Sequence, residues 1–368
     1  MKPTIVLSAV NLFQAGPLSV YQDALAELSV TFADQYDIVA LVHRKDLFSV
    51  PGVEFIEFPK IRSSWIRRIK FEYYDLFKIS QTLDPYLWLS LHDMTPRVQA
   101  RIQAVYCHNP APFSRPKMHD FVYDWKYSAF ALFYRYLYKI NIHRNDFVIV
   151  QQAWMRDRFQ EMYSVKNVIV AHPKTDDSLV HRARAHGENS LSKEKFQFFY
   201  PAFPRVFKNI ELLLQAAEIL KHNEIEIWLT FSGETGRYAR NLAKRCQDLP
   251  NVKLLGRLTR EQVFARYDAA DCLVFPSRLE TWGLPLSEFK RTGKPILAAD
   301  LPYARETVGT YRCVHFFDPE NPEELASLMR RMSLGDLRPA PATAVAIASP
   351  FAEGWRELFD ILLHTECS

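Results

Sequence analysis

Short, almost continuously apolar runs alternate with stretches of helical periodicity along nearly the whole chain. Residues 4–10, 36–42, 53–58, 87–91, 104–107, 147–151 and 168–171 read as strands, and 18–29 as a first helix. Runs that lack in-and-out alternation belong to strands buried on both faces, as in a parallel sheet covered by helices. The first run is interrupted by Asn11 and Gln14 and preceded by one cation, Lys2, so a buried strand is expected there rather than a signal peptide. A polar stretch, 174–194, then breaks the pattern and reads as a linker. Alternation resumes with strands at 196–200, 225–231, 252–255, 272–275 and 295–298. Between and after them come helices at 210–222, 237–248, 261–269, 285–292 and 322–332, and a last helix over 351–364. The expected class is α/β, with two doubly wound domains at 1–173 and 195–345, a C-terminal segment 346–368, and a ligand in the cleft between the domains.

Composition narrows the class. With 48% hydrophobic and 24% charged residues, a chain of 368 can bury large cores, which excludes disordered and fibrous readings. Only Gly16 and Gly52 precede residue 187, whereas Gly233, Gly256, Gly283 and others gather in the second half, where backbone shaped around a ligand is therefore expected. Basic and acidic residues number 23 and 19 over residues 1–190 and 23 and 23 thereafter, too even for a dedicated nucleic-acid binder. One stretch departs from that balance: Lys60, Arg62, Arg67, Arg68 and Lys70 are interleaved with Ile61, Trp65, Ile66 and Ile69 and no acid. It reads as a solvated helix face, as a surface for anionic lipid or a lipid-diphosphate acceptor, or, least of the three, as a nucleic-acid contact. Five widely spaced cysteines without a CxxC, and no apolar run of membrane-spanning length, point to a reduced cytoplasmic protein that meets a membrane, if at all, from its surface.

The densest chemistry lies in 271–288. A buried strand ends at Phe275, a loop carries Glu280, Gly283 permits a tight turn, and Pro285 opens a helix. Amides near Gly283, Leu284 and Leu286 would favour a phosphate, and Glu280 and Glu288 on either side of it would hold sugar hydroxyls. That combination is expected of a nucleotide-sugar site.

With its Glu-x7-Glu and Gly283-Leu284-Pro285 turn, this half resembles glycosyltransferase family 4, retaining enzymes of the GT-B fold. The resemblance implies two Rossmann-like domains with the C-terminal helix crossing back to the first. It also implies hexose transfer from a nucleotide-diphosphate sugar, and a glycan or lipid-linked glycan acceptor as in bacterial surface polysaccharide and lipopolysaccharide synthesis. In such enzymes the first Glu contacts the donor sugar and the second the ribose, which here are Glu280 and Glu288. The diphosphate cations fall at Lys208 and, two residues out of register, Arg205. Gly233 and the turn Leu255-Gly256-Arg257 would complete the donor pocket, the latter around the base. Gly16 occupies the place of a two-glycine loop, and His108, followed by Asn109 and Pro110, that of a histidine near the reacting centre. Asp93, Asn109 and Trp154, together with Gln151 and Arg156, are expected on the acceptor side. No metal or other cofactor is expected, since the chain lacks Asp-x-Asp. A nucleotide-sugar epimerase on the same fold and a catalytically silent nucleotide-sugar-binding subunit remain the alternatives.

Overall fold

The computed structural model describes residues 2–12, 15–61, 64–114, 118–173, 195–338 and 343–364. The expected linker 174–194, and with it Gln14, Arg62 and Cys367, lies outside the described residues. Two compact units emerge: Met1–Phe113 with Ala131–Lys174 and Ile347–Ser368, and Ser114–Phe130 with Thr175–Ala346. The segment Ser114–Phe130, read from sequence as part of the first domain, groups with the second.

Among the described residues the first unit is built on eight parallel strands: β1 (Thr4–Ser8), β2 (Asp37–Val42), β3 (Val53–Glu57), β4 (Leu87–Ser90), β5 (Ile102–Cys107), β6 (Phe147–Val150), β7 (Val168–His172) and a late strand, Phe351–Glu353. Their order is β3-β2-β1-β4-β5-β6-β7 with the late strand outermost. Successive residues face opposite sides of the sheet. Ile5 and Leu7 accordingly join one core cluster with Tyr21, Leu25 and Phe359, while Val6 joins another with Trp88, Phe71 and Leu76. Both faces being covered explains the unbroken apolar runs, and each buried Val, Leu or Ile contributes about 1.5–3 kcal/mol. The final stretch is not one helix. Residues Phe351–Glu353 pair in parallel with β7, Ala352 opposite Ala171, and Gly354 at φ +84° turns the chain into a helix, Gly354–His364. That helix returns to the first unit, where Tyr86 donates to Leu363 O at 3.3 Å.

The described residues of the second unit carry six parallel strands, β8 (Phe196–Tyr200), β9 (Ile225–Leu229), β10 (Val252–Leu254), β11 (Cys272–Phe275), β12 (Ile296–Ala299) and β13 (Val314–Phe317), in the order β10-β9-β8-β11-β12-β13. Strand order reverses between β8 and β11, whose registers match Cys272 to Phe198. Loops leaving the carboxyl ends of such neighbouring strands diverge and leave a crevice. The helix Met118–Lys139, unmarked by the sequence pattern, is broken at Asp124 (φ −142°, ψ 66°), whose carboxylate accepts the Tyr127 amide at 3.2 Å and caps the part that follows.

Candidate active site

The loop after β8 carries Lys208, and the loop after β11 carries Glu280. They meet across the reversal point: Lys208 Nζ donates to Glu280 Oε1, both side chains being largely buried. Several contacts stitch the two loops together. Arg278 donates its amide to Phe207 O at 2.7 Å and its guanidinium to Val206 O at 3.1 Å. Asn209 sits at φ +55°, a conformation Asn tolerates better than most residues, and its Nδ2 donates to Pro276 O at 3.1 Å and Pro319 O at 2.8 Å. Tyr303 donates to Ser277 O at 2.6 Å, and Gly283 makes the turn at φ +80°. An added Cβ at Gly283 would lie 3.3 Å from Leu286 Cδ1 and 3.5 Å from the Phe275 ring, so both space and backbone favour glycine.

Glu288 lies on the short helix Leu284–Lys290, accepting from Tyr267 Oη at 2.9 Å and paired with Arg260 Nη2 at 3.2 Å. Burial raises its carboxyl above the ordinary value, while Arg260 and the Tyr267 hydroxyl pull it back down. Neither partner carried a sequence motif; Arg260 opens the helix Arg260–Ala269, whose start is set by a capping box between Thr259 and Gln262.

Several expectations change here. Leu286 donates its amide to Gly283 O at 2.9 Å, so it is not available to a phosphate. Leu255 spends its amide on Leu229 O at 2.8 Å, which removes it as a donor to a base; Arg257 beside it is exposed. Gly233 opens a short turn, Gly233–Thr235, where an added Cβ would lie 3.3 Å from Ala243 Cβ, a packing reason for glycine. Arg205 turns to Asp124 Oδ2 at 3.1 Å and stacks over Phe203 rather than joining Lys208. Leu284 is the first residue of its helix.

In the first unit, Asp93 follows β4 at φ +69°. Its Oδ1 accepts the His108 amide at 2.7 Å, the Asn109 amide at 3.0 Å and the Tyr138 hydroxyl at 2.9 Å, organising the loop after β5. His108 Nε2 stands 3.7 Å from Asp93 Oδ2, and its Nδ1 is buried without a hydrogen-bond partner among the described residues. Asn109 Oδ1 accepts from the Ala111 amide, and Trp154 Nε1 donates to Gln152 Oε1 at 2.7 Å. Arg156, expected to face a ligand, is buried and donates to Ala348 O at 2.8 Å, anchoring the C-terminal segment. Gly16 lies within the first turn of the helix Ala15–Thr31, not in a loop before it. Among the described residues no cluster of three or more His, Cys, Asp or Glu is arranged to hold a metal ion.

Residues 182–341 match the family described as glycosyl transferases group 1. A D-inositol 3-phosphate glycosyltransferase from Catenulispora acidiphila is 24% identical over 234 residues, covering 59% of this chain and 56% of that relative's length. Sucrose-phosphate synthase from Thermosynechococcus elongatus superimposes with a TM-score of 0.66 at 16% identity, over 91% of this chain and 90% of its own. Anabaena HepE in complex with UDP-glucose does so with a TM-score of 0.56 at 16% identity, over 89% and 88%. The fold is that of the GT-B glycosyltransferases.

Proposed function

We propose that the protein is a retaining hexosyltransferase that takes a nucleotide-diphosphate sugar and transfers its sugar to a glycan or lipid-linked glycan in bacterial-type surface polysaccharide synthesis, without a metal ion. The observation that carries this reading is the Lys208–Glu280 pair at the strand-order reversal, with Glu288 on the adjoining helix. As the bond from the anomeric carbon to the diphosphate breaks, negative charge grows on the leaving oxygen. A cation already fixed beside that oxygen stabilises the transition state more than the ground state. Lys208 supplies this charge once Glu280 turns to the sugar hydroxyls, and Glu288 accepts from the ribose. The UDP-glucose bound to Anabaena HepE makes that nucleotide sugar the first donor to test. The exposed Trp65, Ile66 and Ile69 beside Lys60, Arg67 and Lys70 support attachment of the same enzyme to the inner, anionic face of a membrane.

The test is release of nucleoside diphosphate from UDP-, GDP-, ADP- and dTDP-hexoses in the presence of lipid-linked glycan acceptors. Glu280→Gln is expected to lower turnover on the order of 100-fold or more while circular dichroism stays unchanged. Undiminished turnover would remove Glu280, and with it this reading.

A further inference from the structure

A cavity of about 400 Å³ opens in the second unit between residues 122–126, the loop 203–205 and residues 235–239. Five consecutive residues of a regular helix cannot line one cavity, because successive side chains point about 100° apart. They do so here because the helix Met118–Lys139 is broken at Asp124. Tyr123 and Trp125 both line the cavity, together with Phe203 of the loop 203–205. These three rings are 39%, 63% and 51% exposed. Large rings gathered in one open concavity forgo burial, and such apolar surface marks a binding site.

Charge defines the other half of the site. Lys126, Arg205 and Arg237 line the cavity, against one acid, Asp124, which is already paired with Arg205 at 3.1 Å. Aromatic faces are electron-rich and accept the polarised C–H face of a pyranose ring, while the surplus cations call for an anion. We infer that this cavity binds a sugar unit bearing a negative substituent, a phosphate or a carboxylate, as the acceptor end of the reaction. The inference rests on the glycosyltransferase reading. Chain connectivity joins the cavity to the reacting pair: Arg205 leads directly into the turn Val206–Lys208, and Tyr127, just beyond Lys126, packs on Phe207 with ring centroids 5.1 Å apart. Arg205, expected from sequence to neutralise the donor diphosphate, is thereby assigned to the acceptor.

The experiment is a ligand-observed NMR titration of the full chain with a hexose 1-phosphate, a hexuronate, a neutral methyl hexoside, inorganic phosphate and, separately, UDP. One or both anionic sugars are expected to bind at least tenfold more tightly than the neutral sugar and than phosphate alone, and the stronger of the two identifies the anion. Trp125→Ala and Arg237→Ala should each weaken the anionic sugar at least fivefold and leave UDP affinity within twofold. The inference is overturned if neither anionic sugar exceeds the neutral one, if phosphate alone binds as well, or if the variants leave sugar affinity unchanged. It is also overturned if they weaken UDP in step, since the cavity would then belong to the donor. UDP binding with no anionic-sugar binding defeats this inference alone. Anionic-sugar binding without any nucleotide binding defeats the donor reading and leaves the cavity assignment standing.

Discussion

Glu288 shows how much a single carboxylate depends on side chains that no motif announces. Burial favours its protonated form, whereas Arg260 and the Tyr267 hydroxyl favour the charged one. In the proposed donor site a ribose hydroxyl donates best to the carboxylate, so nucleotide affinity should rise with pH from the ordinary carboxylate range through the raised value of Glu288. Arg260→Ala removes a lowering influence and should move that rise to higher pH; Glu288→Gln should abolish it. Calorimetric titration of the nucleoside diphosphate between pH 4 and 8 reads both effects, and superimposable profiles for wild type and Arg260→Ala would refute the coupling. Folding has the opposite sign: a carboxyl raised in the folded state contributes stability at low pH that is lost as pH climbs through its folded value. Residues in chain-local patterns, Glu280, Glu288, Gly283 and Lys208, were legible in the sequence. Arg260, Tyr267, Arg278 and the Asp93 hub were not, because each acts on a partner far away in the chain that only the sheet topology brings near.

Elements were legible where burial on both faces left an unbroken apolar signal, as in β1, β5 and β11, and they failed where aromatic residues blurred the period. The helix Met118–Lys139 mixes exposed rings, Trp125, Phe133 and Tyr136, with buried ones, Tyr134 and Tyr138, so no clean apolar stripe marks it. At the C-terminus the reverse error arose: 351–353 fit a helical pattern, yet the open edge of β7 supplies backbone partners that an extended segment can use. The helix Gly354–His364 then packs through Phe359, which is fully buried, stacks on Trp355 at 5.6 Å and meets Phe32 edge-on at 6.0 Å. Phe359→Ala should therefore destabilise the first unit by about 3–5 kcal/mol. The measurement is the denaturation midpoint together with amide-exchange protection of β7; an unchanged midpoint would mean that this helix does not complete the core.

At the scale of the whole molecule, the net charge of +4 resides entirely in residues 1–190, and part of it is concentrated around the helix Trp65–Lys70. The structure divides that basic stretch. Arg68 lies over the Trp65 ring and its guanidinium reaches the Asn11 side chain at 2.8 and 2.9 Å, so it serves the fold. Lys60, Arg67 and Lys70 are exposed, and beside them Ile66 is 80% exposed, an apolar side chain left in water between cations. Among the described residues no helix is long and apolar enough to cross a membrane, so attachment by this route would be interfacial. Each cation near an anionic surface contributes about 1 kcal/mol, an attraction that weakens as the screening length falls from about 10 Å at 0.1 M salt to about 3 Å at 1 M. Sedimentation with phosphatidylglycerol-containing vesicles should accordingly show binding at 0.1 M salt that is largely lost at 1 M. Arg67→Glu with Lys70→Glu should weaken it roughly tenfold or more, and Ile66→Asp should weaken it even at low salt, because the apolar contribution is not screened. Neutral vesicles should bind far less. If the wild-type chain fails to sediment with anionic vesicles at low salt, the exposed isoleucine and its neighbouring cations are a solvated helix face, and the proposed membrane attachment falls.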